Sequence, residues 1–195
     1  MAYHLEYATL LLSGAIDAQA RILRHVYSVP IKFKYASFKN ENFMKRLRAA
    51  GAVAICDLVE HGVHDDFLVA LRTIRNKIHA DPLGDMGYSS PATGDIGLLT
   101  LGGDDAQIVL QRVRALGNPD EMGIFPFVHP RILIEPYRCA SFLLLHTFRL
   151  ITAISQATEF GAPLGNDPEH PAALDLFRER TLNNMKLFCR SVAVL

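Results

Sequence analysis

The chain has 195 residues, half of them hydrophobic and 21% charged, enough for a single domain spanning 1–195 with a buried core and too apolar for a disordered segment. Twenty Lys and Arg balance twenty Asp and Glu, so the formal net charge is zero. This excludes the global basic excess of a typical nucleic-acid binder, and any contact with RNA has to come from a local patch.

In chain order, residues 2–27 predict one long amphipathic helix, with Tyr7, Leu11, Ala15, Ala18 and Ile22 at three- and four-residue spacing. Glu6 and Asp17 interrupt its apolar runs, so no secretory signal is expected. Pro30 ends the helix. Residues 31–38, where Lys alternates with aromatic or apolar residues, predict a short strand or an extended connection. Asn40 is placed to cap a second helix reaching Arg48, and 52–60 adds another apolar helical segment, punctuated by Gly62. His64, Asp65 and Asp66 then open a helix with acidic groups in its first turn, as the macrodipole favours. That helix runs to about Ala80 and stops before Asp81-Pro82.

Residues 82–103 are rich in Gly, Ser, Pro and Asp and predict a mostly loop insertion, with room for a small hairpin at 96–101. A helix from Asp104 to Gly117 and a Pro- and Gly-containing connection to Pro130 follow. Residues 131–160 predict the most hydrophobic helix, whose apolar run at 140–148 is interrupted by His146 and is too short to span a bilayer. A linker at 161–171 leads to a last amphipathic helix at 172–194. The whole pattern predicts an all-α fold, an antiparallel helix bundle with a loop-rich insertion around 82–103 and no membrane contact. Cys56, Cys139 and Cys189 are far apart, odd in number and form no CxxC pair, so neither a zinc site nor a disulfide framework is expected, and the setting is a reducing cytoplasm.

The helix around residues 66–80 carries the chemistry. Phe67, Leu71, Ile74 and Ile78 form one apolar stripe, while Arg72, Arg75, Asn76 and His79 fall at offsets of three, four and seven and share another face. Guanidinium forks onto phosphate oxygens and stabilises charge developing there. Imidazole exchanges a proton near neutral pH, and Asn orients either group. Together they suit metal-free RNA cleavage, in which the ribose 2′-hydroxyl attacks the adjacent phosphate. One His cannot serve as base and acid at once, so a two-fold dimer is expected to supply a second set.

The string RNKIHA, preceded by LRT, resembles the signature of the HEPN superfamily, helical domains common in toxin–antitoxin and antiviral systems. The resemblance implies a homodimeric, metal-independent endoribonuclease with Arg75 as signature Arg, Asn76 as its polar follower and His79 as catalytic His, with Arg72 in support. It also implies an RNA substrate and an antitoxin or regulatory protein as partner. Three residues separate Arg75 from His79, one fewer than the family's usual minimum, whereas six separate Arg72 from His79.

Lys32, Lys34, Lys45, Arg46 and Arg48, with Lys39, are interleaved with Phe33, Tyr35, Phe38 and Phe43 and form the local basic, aromatic stretch that could hold an RNA backbone. In the alternative, the aromatics pack inward and the lysines are simply solvated. Glu60, His61, His64, Asp65 and Asp66 read as a solvated helix-starting turn, so no metal or cofactor is expected. Asp17 and Glu6 are candidates to orient the Arg or His side chains, and His146 reads as a hydrogen-bonded core or interface residue. Two alternatives to a nuclease stay open: a catalytically inactive HEPN-like binding or assembly module, and a nucleotide-binding helical domain.

Overall fold

A computed structural model describes residues 2–80, 83–90 and 94–158, all within the unit of residues 1–159. The linker at 161–171, the helix expected at 172–194 and Cys189 lie outside the described residues. The described chain is mainly helical, in the order α1 (Ala2–Val26), α2 (Glu41–Ala49), α3 (Val53–Glu60), α4 (Gly62–Ala80), β1 (Gly84–Ser90), β2 (Gly94–Gly102), α5 (Gly103–Leu116), β3 (Ile124–Pro126), β4 (Arg131–Ile134) and α6 (Pro136–Ala157).

Helix α1 forms where expected but buries a different face. Leu5, Thr9, Ile16, Ala20 and Leu23 are buried, whereas Tyr7, Leu11, Ala15, Ala18 and Ile22 are exposed. The helix has two apolar stripes, and the true core stripe is disguised by a threonine. Thr9 is tolerated there because its hydroxyl donates to the Leu5 carbonyl one turn back, at 2.8 Å, which satisfies it locally. Between α1 and α2 the chain forms a connection with one 3₁₀ turn at Phe33–Tyr35, not a strand. The Arg24 Nε donates to the Ile31 carbonyl and the Arg46 guanidinium to the Pro30 carbonyl, each at 2.6 Å. Asn40 caps α2 as its position suggests, its side chain accepting from the amides of Asn42 and Phe43.

Helix α4 lies at the centre of the unit, packed on α1, α3, α5 and α6. Its buried residues, Phe67, Leu68, Ala70, Leu71 and Ile74, extend the expected stripe because neighbours cover the helix on several sides. Pairings fix helix directions. Glu6 near the start of α1 accepts from the Leu83 amide just beyond α4, so α1 and α4 run antiparallel. Arg112 near the end of α5 meets Asp65 and Asp66 at the start of α4, so α4 and α5 are antiparallel as well.

The expected loop-rich insertion is instead largely strand. β1 and β2 form an antiparallel hairpin within a four-stranded sheet of order β1-β2-β4-β3. β2 carries buried Leu99 and Leu101, paired with Ile134 and Ile132 of β4, both also buried. Glycine, serine and aspartate depress the intrinsic strand signal of 84–97, and pairing across the hairpin, with β4 covering 99–102, supplies what propensity lacks. The last described helix also begins later than expected. Residues 131–134 are β4, and α6 starts at Pro136, where the fixed φ of proline suits the first turn. The Glu135 carboxylate caps it by accepting from the Tyr137 and Arg138 amides at 3.0 and 2.8 Å. Gly123 makes the β3 approach possible: its φ is +71°, and a Cβ there would lie 2.9 Å from the Glu135 carbonyl oxygen.

By length and composition α6 is the one helix among the described residues apolar enough to cross a membrane. Its pattern is nonetheless amphipathic, with Cys139, Phe142, Leu143, Leu150 and Ile154 buried and Arg138, Leu145 and Arg149 exposed. Cys56 and Cys139 are buried free thiols. Burial pushes them up to about 11 and about 12 respectively, which makes them core residues with little thiolate character.

Candidate functional site

The polar face of α4 divides into a recessed and an open part. Arg72 and Arg75 are half-buried, while Asn76 and His79 are exposed. The two arginines line a shallow cleft with Ser13 and Asp17 of α1 and Ser37 and Lys39 of the connection, over an apolar floor that includes Leu68 and Leu71. Its volume is about 50 Å³, several times the roughly 10–15 Å³ one water requires and sufficient for a compact anion. Asn76 and His79 are not among the lining residues. The helical period places His79 one turn beyond Arg75 on the same side, at the open end of the face.

Asp17 was a candidate to orient an arginine. Its carboxylate instead accepts from the Ser37 hydroxyl at 2.9 Å, tying the connection to α1 and closing one wall of the cleft. Glu6, the other candidate, is engaged by the Leu83 amide at 3.2 Å. Among the described residues, neither Arg72 nor Arg75 has a carboxylate within ion-pair distance or a hydrogen-bond partner. That distinguishes them from Arg48, whose guanidinium meets Asp57 at 2.7 Å and Glu60 at 2.6 Å, and from Arg112, bound by Asp66 at 2.7 Å.

The basic, aromatic stretch is not one surface. Lys32 and Lys34 are exposed around the 3₁₀ turn, and the Lys34 ammonium lies 4.9 Å from the ring centroid of Tyr35. Arg46 is spent on Asn42 and Pro30, and Arg48 on two carboxylates. Lys45 lines a second, larger cleft of about 220 Å³ with Phe38, Lys39, Met44 and Arg48. Phe43 is buried, Phe38 half-buried, and Phe33 and Tyr35 exposed, so only part of the aromatic set packs inward. Lys39, Ser13 and Ser37 belong to the cleft although residue pattern alone does not single them out; the four-residue spacing of Ser13 and Asp17 on one helix is the only local hint.

At the turn before α4, potential ligand atoms of Asp57, Glu60 and His61 lie within 4.8 Å of one another, all exposed. Arg48 already binds both carboxylates, so a cation entering there would have to displace it. His64 and His146 are half-buried. His146 stacks near Phe142 and Phe67, with centroids 4.7 and 5.4 Å away. Burial lowers the His146 pKa, with further contributions from Arg149 and His64, and burial lowers that of His64. His64 is in the first turn of α4 and His146 on α6, and neither lines the arginine cleft.

Compared with protein-family models, curated proteins and solved structures, the chain matches none.

Proposed function

We propose that this protein is a HEPN-like, metal-independent endoribonuclease of the kind found in toxin and antiviral systems, acting as a homodimer in the reducing cytoplasm under an antitoxin-like or regulatory partner. The observation that carries the reading is the pair of half-buried guanidiniums, Arg72 and Arg75, lining one cleft with no carboxylate within ion-pair distance among the described residues. Unpaired cations on a partly desolvated surface suit an anionic ligand, and two planar forks one turn apart suit a phosphodiester. In this mechanism the 2′-hydroxyl attacks phosphorus and gives its proton to one His79. The bond to the 5′-oxygen breaks, that oxygen takes a proton from the His79 of the second copy, and a 2′,3′-cyclic phosphate remains. Arg72 and Arg75 stabilise the added charge on phosphorus, and Asn76 orients the imidazole.

The exposed position of His79 outside the cleft favours a second reading, in which the same arginines hold a nucleotide or RNA without cutting it, as an inactive HEPN-like module. Incubation with transfer RNA in EDTA separates the two. The nuclease reading expects cyclic-phosphate ends that vanish in His79→Ala while binding persists, and partial rescue when Arg75→Gln and His79→Ala chains are mixed into heterodimers. Cleavage surviving His79→Ala sinks the mechanism. Binding lost in Arg72→Gln, with no cleavage by the parent chain, selects the second reading.

A further inference from the structure

The two clefts share Phe38 and Lys39, so they are neighbouring compartments of one groove running from α4 across the connection to α2. Their sizes differ about fourfold, roughly 50 against 220 Å³. The small compartment has two guanidiniums and suits a phosphate; the large one has the volume and the aromatic edge to receive a nucleoside. Lys39 stands at the junction and Lys45 in the larger compartment, both exposed, and among the described residues neither has a carboxylate within ion-pair distance. The third cation there, Arg48, is already bound by Asp57 and Glu60. Phe38 rests on the buried Phe43, with ring centroids 6.4 Å apart and planes tilted by 55°, so its position is fixed from below while it remains half-exposed above.

We propose that this groove binds single-stranded RNA over at least two consecutive nucleotides, with one phosphate at Arg72 and Arg75, the adjoining base against Phe38 and the next phosphate at Lys39 and Lys45. The proposal rests on the reading of the arginine cleft as a phosphate site and adds the substrate class and its path. Single strands suit the arrangement because an unpaired base can turn onto an aromatic ring, whereas a duplex keeps its bases stacked inside. Glu41 and Glu60 also line the large compartment and repel further phosphates, which limits the tract to a short one.

The test is fluorescence anisotropy with three probes: a nucleoside monophosphate, a single-stranded RNA of about eight nucleotides and the same sequence as duplex. The single strand is expected to bind at least about tenfold more tightly than the other two. Lys45→Gln should weaken only the single strand and lower the slope of log affinity against log salt by about 0.7, the value for one lost phosphate contact. Phe38→Leu should weaken both the single strand and the monophosphate, whose base meets the same ring, with circular dichroism reporting that the fold is intact. Equal binding of single strand and monophosphate, or indifference to Lys45→Gln, overturns the groove while leaving the arginine site standing. Tighter binding of the duplex overturns the strand assignment. Failure of all three probes to respond to Arg72→Gln with Arg75→Gln overturns the phosphate site itself.

Discussion

At the amino-terminal end of α4, Asp65 and Asp66 meet Arg112 at 3.4 and 2.7 Å, whereas in the carboxyl-terminal half Arg72 and Arg75 meet no carboxylate among the described residues. The same helix thus carries a neutralised end and an end with unmatched charge. The first arrangement complements the macrodipole and joins α4 to α5, so stability accounts for it. The second gains little from the dipole beyond the last turn and leaves two cations partly desolvated. Arg48 and Arg112 each meet two acids, whereas among the described residues Arg72 and Arg75 meet none although Asp17 lines the same cleft, which is what the proposed phosphate site requires. Local rules are broken where function requires it.

If the amino-terminal half of α4 is architectural, its core anchor should matter most. Phe67 is fully buried and packs edge-on against Phe142 with centroids 6.2 Å apart. Phe67→Ala is expected to destabilise the protein by about 3–5 kcal/mol, read as a lowered urea midpoint. The carboxyl-terminal half should behave in the opposite sense. Arg72→Gln and Arg75→Gln are each expected to weaken RNA binding about tenfold to a hundredfold, as for loss of a charge-assisted hydrogen bond worth about 1.5–3 kcal/mol, while unfolding shifts by less than about 0.5 kcal/mol. A double variant that unfolds easily and binds normally would reverse the assignment of the two halves.

The sequence made this helix legible because a single period governs it: Phe67, Leu71 and Ile74 are buried and Arg72 and Arg75 recessed beside them. Elsewhere the local signal misled for identifiable reasons. In α1 the more conspicuous stripe, Tyr7 to Ile22, faces water, because the core stripe includes Thr9 and Ala20, which carry little apolar bulk. The strands at 84–102 depend on pairing with each other and, at 99–102, with β4, and residues 131–134 continue an apolar run into Pro136 that reads as helix until the Glu135 cap is seen. The arginines of the cleft were visible in sequence, but Ser13, Ser37 and Lys39 reach it from two other segments. The hydrogen bond between Ser37 and Asp17 joins two of these segments at the cleft.

A smaller effect sharpens the contrast. Asp66→Asn removes the better half of the Arg112 contact, whose side chains are 37% and 19% exposed. The expected loss is at most about 1 kcal/mol, diminishing as salt rises, with RNA affinity unchanged. A loss of RNA binding here would mean that the two ends of α4 are energetically linked.

The smallest expected effect is a dependence of stability on pH, and it belongs to the architectural end. His64 and His146 have folded-state pKa values below the ordinary 6.5, in both cases chiefly because burial disfavours the imidazolium, with Arg149 adding repulsion at His146. The unfolded chain therefore binds more protons than the folded one in the window between the folded and unfolded values. Their contribution to stability is fully present above 6.5 and is lost as pH falls through 6.5 toward the folded values. The urea midpoint should accordingly drop on acidification from about pH 7.5 to 5.5, and His146→Phe, which keeps the ring contacts with Phe67 and Phe142 but cannot titrate, should flatten that drop. His79 is exposed at the other end of the helix, so His79→Ala should abolish cleavage while shifting unfolding by less than about 0.5 kcal/mol. If His79→Ala lowered the urea midpoint as a core substitution does, the cleft end would itself be architectural, and the division of α4 into an architectural and a chemical half would fail.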